Sequence, residues 1–333
     1  NPLATAHVTS RFFWDDHMRH LFFTVAFTLV VPGLLFAEGD EVTALKARIS
    51  ALERETSELR GQISQLKFLY QAQNGVEREV QIENQTVAKL IIAPKGWGSA
   101  SPRDVAAVCH SCAATIVQAI RPKQGQEPTV LVIRSKHGPM VLSRRGPNDE
   151  FILLLNSGDR LWAQVAYQFS HEFGHVLCGD LSLKKPQHWF EEAFCESLSL
   201  WTMEKMGESW KTNAPYKGWQ PYATNLASYA QNVRNRVAAP EDIHKWFAKH
   251  RTDLTGNAYD REKNLILAKH LADQAHKRTT FYKAFYYLRR SDNKSPTNSL
   301  DWLLADWAST CPEELRFAPQ FVTELLGVVP SNK

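Results

Sequence analysis

The feature that most constrains this 333-residue chain is a pair of histidines four residues apart in an apolar stretch. His171 and His175 frame the segment H-E-F-G-H, with Glu172 directly after the first histidine. The surrounding residues, about 159–178, carry apolar side chains at helical spacing, and Asp159 stands where a helix N-cap is expected. The sequence therefore predicts a half-buried helix that presents both imidazoles on one face.

Two histidines one helical turn apart direct their rings toward one point, which is the spacing that a tetrahedral Zn²⁺ site uses. Glu172 lies beside them, where a carboxylate can take a proton from water bound to the metal. The alternative is that both histidines lie on the surface of an ordinary helix, which the apolar character of the stretch disfavours. The motif predicts one Zn²⁺ per chain, with His171 and His175 as ligands and a third protein ligand elsewhere.

Candidates for the third ligand follow in a second helical stretch, residues 187–196. Glu192 and Glu196 are four residues apart in this stretch and so share one helix face. One of them can bind the metal while the other accepts a hydrogen bond from a ligating histidine. The residues alone do not decide which of the two glutamates binds the metal and which one holds the histidine. For each glutamate considered alone, the alternative is that it lies on a solvated helix face and has no role at a metal.

These two segments together resemble the gluzincin metallopeptidases, and within them the zinc aminopeptidases that carry H-E-x-x-H followed by W-x-N-E-G-F-A. The second motif is present here as Trp189-Phe190-Glu191-Glu192-Ala193-Phe194-Cys195. The resemblance implies that Glu192 is the third ligand, that Glu172 is the general base, and that Glu196 orients a ligating histidine. It also implies a peptide or protein substrate and a zinc site between a sheet lobe and a helical lobe. It covers roughly residues 130–290.

A weaker upstream motif extends the resemblance to a strand edge. His137-Gly138-Pro139-Met140 stands where the aminopeptidases have G-A-M-E-N, a strand that hydrogen-bonds the substrate backbone. The resemblance therefore implies that Gly138, Pro139 and Met140 bind substrate. Val141 replaces the family's glutamate, which recognises a free amine, so the choice between exo- and endopeptidase stays open.

A downstream motif concerns the residue that would stabilise a tetrahedral oxyanion. Residues 259–267 resemble the family's Y-E-K-G followed by an apolar helix, although Arg261 occupies the place of the family's tyrosine. Tyr259, two residues earlier, is our choice for the oxyanion-stabilising group. Tyr229 and His244 are the other candidates, and a packed aromatic side chain is the structural alternative for Tyr259.

Two of the five cysteines lie close to the expected metal ligands. Cys178 comes three residues after His175, and Cys195 comes three residues after Glu192. Because the two helices are expected to meet at the metal, a Cys178–Cys195 disulfide is a candidate, and an exported protein could keep it oxidised.

The amino-terminal region has the three parts of a secretory signal. A basic stretch at 18–20 precedes an apolar run at 21–36, and Ala37 stands before acidic residues. The run of 16 residues is shorter than the roughly 20 that a spanning helix needs. We therefore expect residues 1–37 to be an upstream extension and signal peptide, and the mature protein to be periplasmic or secreted. The alternative is a membrane anchor formed by 21–36.

A heptad pattern follows the signal region. From Leu45 to Tyr70 apolar residues recur at alternating spacings of three and four, with Thr56 as the polar member of the row. This pattern predicts a helix over residues 38–74. Two interpretations remain open: a coiled coil that forms a homodimer through residues 42–70, or one amphipathic helix that packs on its own domain.

The rest of the chain predicts an α+β fold. Short apolar segments predict strands, at 80–82, 88–93, 129–133, 139–142 and 151–155, and Ser101-Pro102 marks the start of a helix between them. The carboxy-terminal region is helical and aromatic-rich. Because the strands come first and the helices later, we expect an α/β lobe at 75–200 with a small mixed sheet, and a helical lobe at 201–333.

Composition narrows the function classes. The hydrophobic share of 44% is typical of a folded globular protein. The net charge of +4 and the lack of a clustered basic face give no indication of a nucleic-acid partner. The leading hypothesis is an exported zinc metallopeptidase. The competing ones are a zinc-binding pseudoenzyme or scaffold that acts through its coiled coil, and a structural protein without metal.

Overall fold

The computed structural model describes residues 39–122, 124–178, 186–291 and 299–328. The chain divides into two compact units, Asn1–Ser64 and Gln65–Lys333. The predicted signal peptide or anchor lies outside the described residues, so export stays a prediction. Within the described ranges, no helix combines the length and the apolar character that crossing a membrane requires.

The predicted amino-terminal helix is present as α1, Gly39–Gln73. All described residues of the first unit belong to this helix. Its last turns belong to the second unit, where Phe68 and Ala72 are buried against apolar side chains of the sheet. The helix ends before Asn74-Gly75, where the sequence predicts its end.

A five-stranded mixed sheet forms the first part of the second unit. Its strands are Val76–Ile82 (β1), Gln85–Ile92 (β2), Thr129–Arg134 (β3), Met140–Arg145 (β4) and Phe151–Leu155 (β5). Their order is β1-β2-β3-β5-β4, in which β2, β3 and β5 are parallel and the two edge strands run antiparallel to their neighbours. The five predicted strands and the mixed sheet are confirmed, and β4 lies at an edge.

The central strands are apolar on both sides because both faces of the sheet are covered. Val130 and Val132 of β3 belong to the main core, whereas Leu131 between them packs with Phe68 of α1. The main-core face is covered by a helix, α2 (Pro102–Ala119), whose predicted cap Ser101 accepts a hydrogen bond from the Asp104 N–H. Burial on both faces explains the near-continuous apolar runs of β3 and β5.

Helices make up the rest of the chain. They are Trp162–Cys178 (α3), His188–Asn213 (α4), Ala223–Arg234 (α5), Ile243–Gly256 (α6), Arg261–Lys277 (α7), Phe285–Ser291 (α8), Leu300–Thr310 (α9) and Phe317–Leu326 (α10). Helix α4 packs against α3, α5 and α7. The α+β class predicted from the sequence is confirmed. The lobe boundary at residue 200 stays a prediction, and α4 runs through it without a break.

Close packing of α3 on α4 depends on one glycine. A Cβ at Gly174 would lie 3.1 Å from Cys195 Sγ and 3.2 Å from Leu198 Cδ2. The fourth residue of H-E-F-G-H is therefore small because α4 passes directly over it. This contact brings the histidine-bearing face of α3 against the glutamate-bearing turns of α4.

The predicted N-cap of α3 is wrong. Asp159 has a positive φ of 54°, and its Oδ1 atom accepts a hydrogen bond from the backbone N–H of Ser99 at 2.7 Å. The carboxylate is thus engaged with another loop, and the helix begins three residues later, at Trp162. The Ala163 N–H at this helix start donates instead to the hydroxyl of Tyr222.

The tight α3–α4 contact leads to a stability prediction. Gly174→Val should lower the free energy of unfolding by about 1–3 kcal/mol, because its γ-methyl groups overlap Cys195 and Leu198. Thermal unfolding measures the change. Gly61→Val in α1 is the matched control, because nothing lies within 4 Å of a Cβ at that helical position. Equal effects of the two substitutions would contradict the packing assigned to Gly174.

Candidate metal centre

Three side chains from α3 and α4 bring one potential ligand atom each to a common point. The Nε2 atoms of His171 and His175 lie 3.2 Å apart. Glu192 places Oε2 at 3.3 Å from His171 Nε2 and Oε1 at 3.6 Å from His175 Nε2. The three groups form a cluster that can hold a metal ion.

These distances match the edges of a tetrahedral zinc site. For metal–ligand bonds of about 2.0–2.1 Å, two ligands of a tetrahedron lie about 3.3–3.4 Å apart. The distance between the two imidazole nitrogens is close to that value, and each imidazole has one of the two Glu192 oxygens at 3.3–3.6 Å. The donor set of two imidazoles and one carboxylate suits Zn²⁺. The residues present therefore fit the metal that the motif implies.

Each histidine also contacts a carboxylate through its other ring nitrogen. His175 Nδ1 lies 2.8 Å from Glu191 Oε1, and His171 Nδ1 lies 3.3 Å from Glu196 Oε2. A carboxylate on Nδ1 holds the imidazole in the tautomer and orientation that leave Nε2 available to a metal. The pairing of Glu196 with His171 is the arrangement that the resemblance implied. Glu191 takes the equivalent position on His175.

Glu196 is in turn held by a tyrosine of α3. The hydroxyl of Tyr167 donates a hydrogen bond to Glu196 Oε1. The Tyr167 ring packs against Tyr229 of α5 at a centroid distance of 5.5 Å. Burial, followed by the charge of Glu196, holds the pKa of Tyr167 well above its ordinary value, so its hydroxyl stays protonated as a donor.

The charges of the cluster are mutually dependent. Burial by itself lowers the pKa of His171, but its hydrogen bonds with Glu192 and Glu196 outweigh burial and hold that pKa well above the ordinary value. Burial by itself raises the pKa of Glu192, whereas the hydrogen bond with His171 and the nearby histidines lower it overall. A metal cation would take the place of the proton between these ligand atoms.

Glu172 is a buried carboxylate that belongs neither to the ligand set nor to the carboxylates on the Nδ1 atoms. It is 3% exposed, and burial raises its pKa above the ordinary value, against the attraction of the two histidines. Helix α3 packs against the edge strand β4, and the backbone of Val141 on that strand acts in the opposite direction from burial and lowers the pKa of Glu172. The raised pKa makes it a stronger base than a solvated glutamate. The contact brings the edge strand to the side of the metal centre that carries Glu172.

The three residues predicted to bind substrate come directly before Val141 in the sequence, where β4 begins. Gly138 is followed by Pro139, and Met140 begins β4 with 39% of its surface exposed. Gly138 packs closely on β5, where an added Cβ would lie 2.9 Å from the Leu154 carbonyl oxygen. Their role in binding substrate stays a prediction, and the structure brings their strand beside Glu172.

The three candidates for the oxyanion-stabilising residue occupy different places. Tyr259 is 65% exposed, and its ring meets His188 at 5.4 Å. His188 Nε2 lies 3.5 Å from Glu192 Oε1, so Tyr259 reaches the metal centre through one intervening side chain. Tyr229 lies behind Tyr167. His244 lies beside Gly327 at the end of α10.

The predicted disulfide is absent from the structure. Cys178 and Cys195 are both thiols, and the two side chains are hydrogen-bond neighbours, so the expected proximity is present without the bond. Burial, followed by the contact with Cys178, raises the pKa of the Cys195 thiol well above its ordinary value. Since the thiolate is the form that reacts, burial keeps the Cys195 thiol in its unreactive form.

A cavity of about 340 Å³ lies at the amino-terminal end of α3. Its wall consists of uncharged residues, namely Leu161, Ala163, Gln164, Tyr222, Thr224, Asn225, Ser228, Tyr229 and Asn232. Gln164 precedes His171 by seven residues, which places both on the same face of α3. The cavity therefore lies along the helix face that carries the metal centre, about two helical turns away.

Sequence reasoning missed three residues of the site. Tyr167 lies four residues before His171, a helical spacing that could have indicated it. His188 lies four residues before Glu192 and could have been found by the same rule. Glu191 gave no such signal, because adjacent helix residues normally point in different directions, and only the crossing of α3 and α4 lets both glutamates reach a histidine.

The sequence matches none of the known protein-family models and none of the curated proteins. Among solved structures, it is similar to an M1 zinc metallopeptidase from Deinococcus radiodurans, with 14% identity over 78% of this chain and a TM-score of 0.39. A variant of that enzyme bound to a Tyr-Ser-Ala substrate gives 15% identity over 78% of this chain and a TM-score of 0.36. The chain spans about half of these proteins, 52% in both cases. At these TM-scores, the likeness supports no conclusion about activity.

The carboxylate on His175 leads to a prediction about metal affinity. Glu191→Gln should weaken Zn²⁺ binding by about 10–100-fold, because the neutral amide no longer holds and polarises the His175 ring. Competition with a chromogenic chelator measures the dissociation constant. Glu208→Gln is the control on the same helix, where the carboxylate is exposed and pairs with Lys211. Unchanged affinity in Glu191→Gln would show that His175 needs no such partner.

Proposed function

We propose that this protein is a zinc-dependent metallopeptidase that hydrolyses peptide bonds. The observation that carries the proposal is the convergence of the Nε2 atoms of His171 and His175 and the carboxylate of Glu192, a donor set that suits a tetrahedral zinc site. Each ligating imidazole is held by a carboxylate on its Nδ1 atom, and Glu172 stays outside the ligand set. We expect this donor set to bind one Zn²⁺ per chain.

The proposed chemistry divides between the metal and Glu172. A bound Zn²⁺ would polarise the scissile carbonyl and lower the pKa of the attacking water. Glu172 would accept the proton of that water and later deliver it to the leaving amine. Its burial supports this role, because the raised pKa of the carboxyl lets it hold the proton between the two steps.

The edge strand β4 offers a surface for the substrate backbone. Strand β4 pairs with β5 on one side only in the described sheet, and it also packs against α3, the helix that carries Glu172. An extended peptide added to this edge would pass close to the general base. Gly138, Pro139 and Met140 would bind the backbone there, and the uncharged cavity along α3 would accept a substrate side chain.

The general base leads to a prediction that separates chemistry from metal binding. Glu172→Gln should lower kcat for peptide hydrolysis by about 10²–10⁴-fold while leaving one Zn²⁺ per chain, because the amide cannot accept the proton. A peptide library identifies a cleaved sequence, and elemental analysis counts the metal. Glu208→Gln serves again as control.

The outcomes distinguish the hypotheses. Full activity in the Glu172→Gln variant contradicts the proposed mechanism. Stoichiometric zinc with no turnover in the unaltered chain would favour the pseudoenzyme or scaffold. A chain that takes up no zinc would favour a structural protein.

The position of Tyr259 beside His188 leads to a further prediction. If its hydroxyl donates to the oxyanion, Tyr259→Phe should lower kcat by about 10²–10³-fold with little change in KM. Tyr216→Phe is the control, because Tyr216 is another exposed tyrosine and packs on Trp219. Equal kcat values for the two variants would remove Tyr259 from the catalytic residues.

A further inference from the structure

The face of α1 that carries the heptad row is exposed along its whole length. Seven large apolar side chains on it have between 41% and 66% of their surface accessible, namely Leu45, Ile49, Leu52, Leu59, Ile63, Leu66 and Tyr70. Single exposed leucines are normal on protein surfaces, whereas a row that extends about 37 Å along one helix marks an interaction surface. We call this row, together with Val42 and Thr56, the heptad seam.

The second unit does not cover the part of the seam that belongs to it. Phe68 and Ala72 contact the sheet, and they point about 180° away from Leu66 and Tyr70 on the helical wheel. Leu66 and Tyr70 stay 66% and 51% exposed. The last turns of α1 therefore pack on their own domain through Phe68 and Ala72, and this packing leaves the heptad seam uncovered.

The residue types along the seam select a partner geometry. Positions a hold Val42, Ile49, Thr56, Ile63 and Tyr70, and positions d hold leucine in every heptad, at 45, 52, 59 and 66. β-Branched residues at a combined with leucine at d favour two parallel strands over other oligomers. The polar Thr56 in the middle of the seam disfavours sliding by one heptad, because a shift would place it opposite an isoleucine.

The charged residues beside the seam favour two parallel helices that are aligned in register. In a parallel dimer, each g residue faces the e residue five positions later on the partner helix. These pairs are Arg48 with Glu53, Glu55 with Arg60, and Gln62 with Lys67. Each pair forms twice by symmetry, and none of the three brings like charges together. An antiparallel pairing that aligns the same seam would keep Glu53 opposite Arg60 but would also place Lys46 opposite Lys67, so the parallel pairing is the one without a repulsive pair.

We propose that two copies of this chain associate through α1 as a parallel, in-register coiled coil along residues 42–70. The second copy covers the heptad seam, and the Arg48–Glu53 and Glu55–Arg60 pairs fix orientation and register. Four heptads with one polar a position make a short coiled coil, so the dimer is expected to depend on protein concentration.

Sedimentation equilibrium of the full chain tests association. The expected mass is twice the 37.9 kDa of one chain. Leu52→Lys/Leu59→Lys should abolish the dimer, because it places four charges in the seam. Ala44→Lys/Ala51→Lys is the matched control, with the same added charge and spacing at positions outside the seam. A monomeric parent chain, or a seam variant that dimerises like the control, overturns the proposal.

Two further variants test orientation and register. Glu55→Arg should weaken the dimer by placing two arginines side by side, and adding Arg60→Glu should restore it. Leu45→Cys should form a disulfide-linked dimer on oxidation, because parallel helices bring the two sites together, with the unaltered chain showing the background. Antiparallel helices would separate these sites by about 37 Å. Failure of the rescue together with absence of cross-linking would overturn the parallel arrangement. Neither measurement depends on metal or peptidase activity.

Discussion

The site depends on the close crossing of α3 and α4 at Gly174. A helix pair with a larger residue there would be held further apart, because Cys195 and Leu198 already fill the space. The crossing brings the two histidines of one helix against the glutamates of the other at distances of 2.8–3.6 Å. Two short motifs that lie on separate helices thus form one cluster that can hold a metal ion.

The crossing also places charges where an ordinary core would place apolar groups. Glu172, His175 and Glu191 are each at most 3% exposed. Removing one partner of such a cluster leaves an uncompensated buried charge and typically costs about 3–5 kcal/mol. Apolar residues of similar volume often stabilise a core as well as or better than a buried ionic cluster. A cluster that keeps four carboxylates around two imidazoles therefore contributes little to stability, which agrees with the metal-binding role that we propose for it.

Much of the fold followed from periodicity. Burial on both faces makes β3 and β5 continuous apolar segments, and such runs are readily found in a sequence. The cap of α2 at Ser101 was predictable because its side-chain chemistry is local. The cap predicted at Asp159 failed because a distant loop, at Ser99, uses that carboxylate. The heptad row was visible in the sequence, but its exposure could be known only when Phe68 and Ala72 were found on the opposite side of the helix.

By itself, the sequence determined which chemistry is available and which residues share a helix face. His171 with His175 and Glu192 with Glu196 were predictable because a helix converts a spacing of four residues into one direction. Only the tertiary structure decided which carboxylate meets which imidazole nitrogen, and it placed Glu191 on His175 and Glu196 on His171. The physical reason is that the rotation of α4 relative to α3 depends on packing at Gly174, which no spacing within either helix specifies.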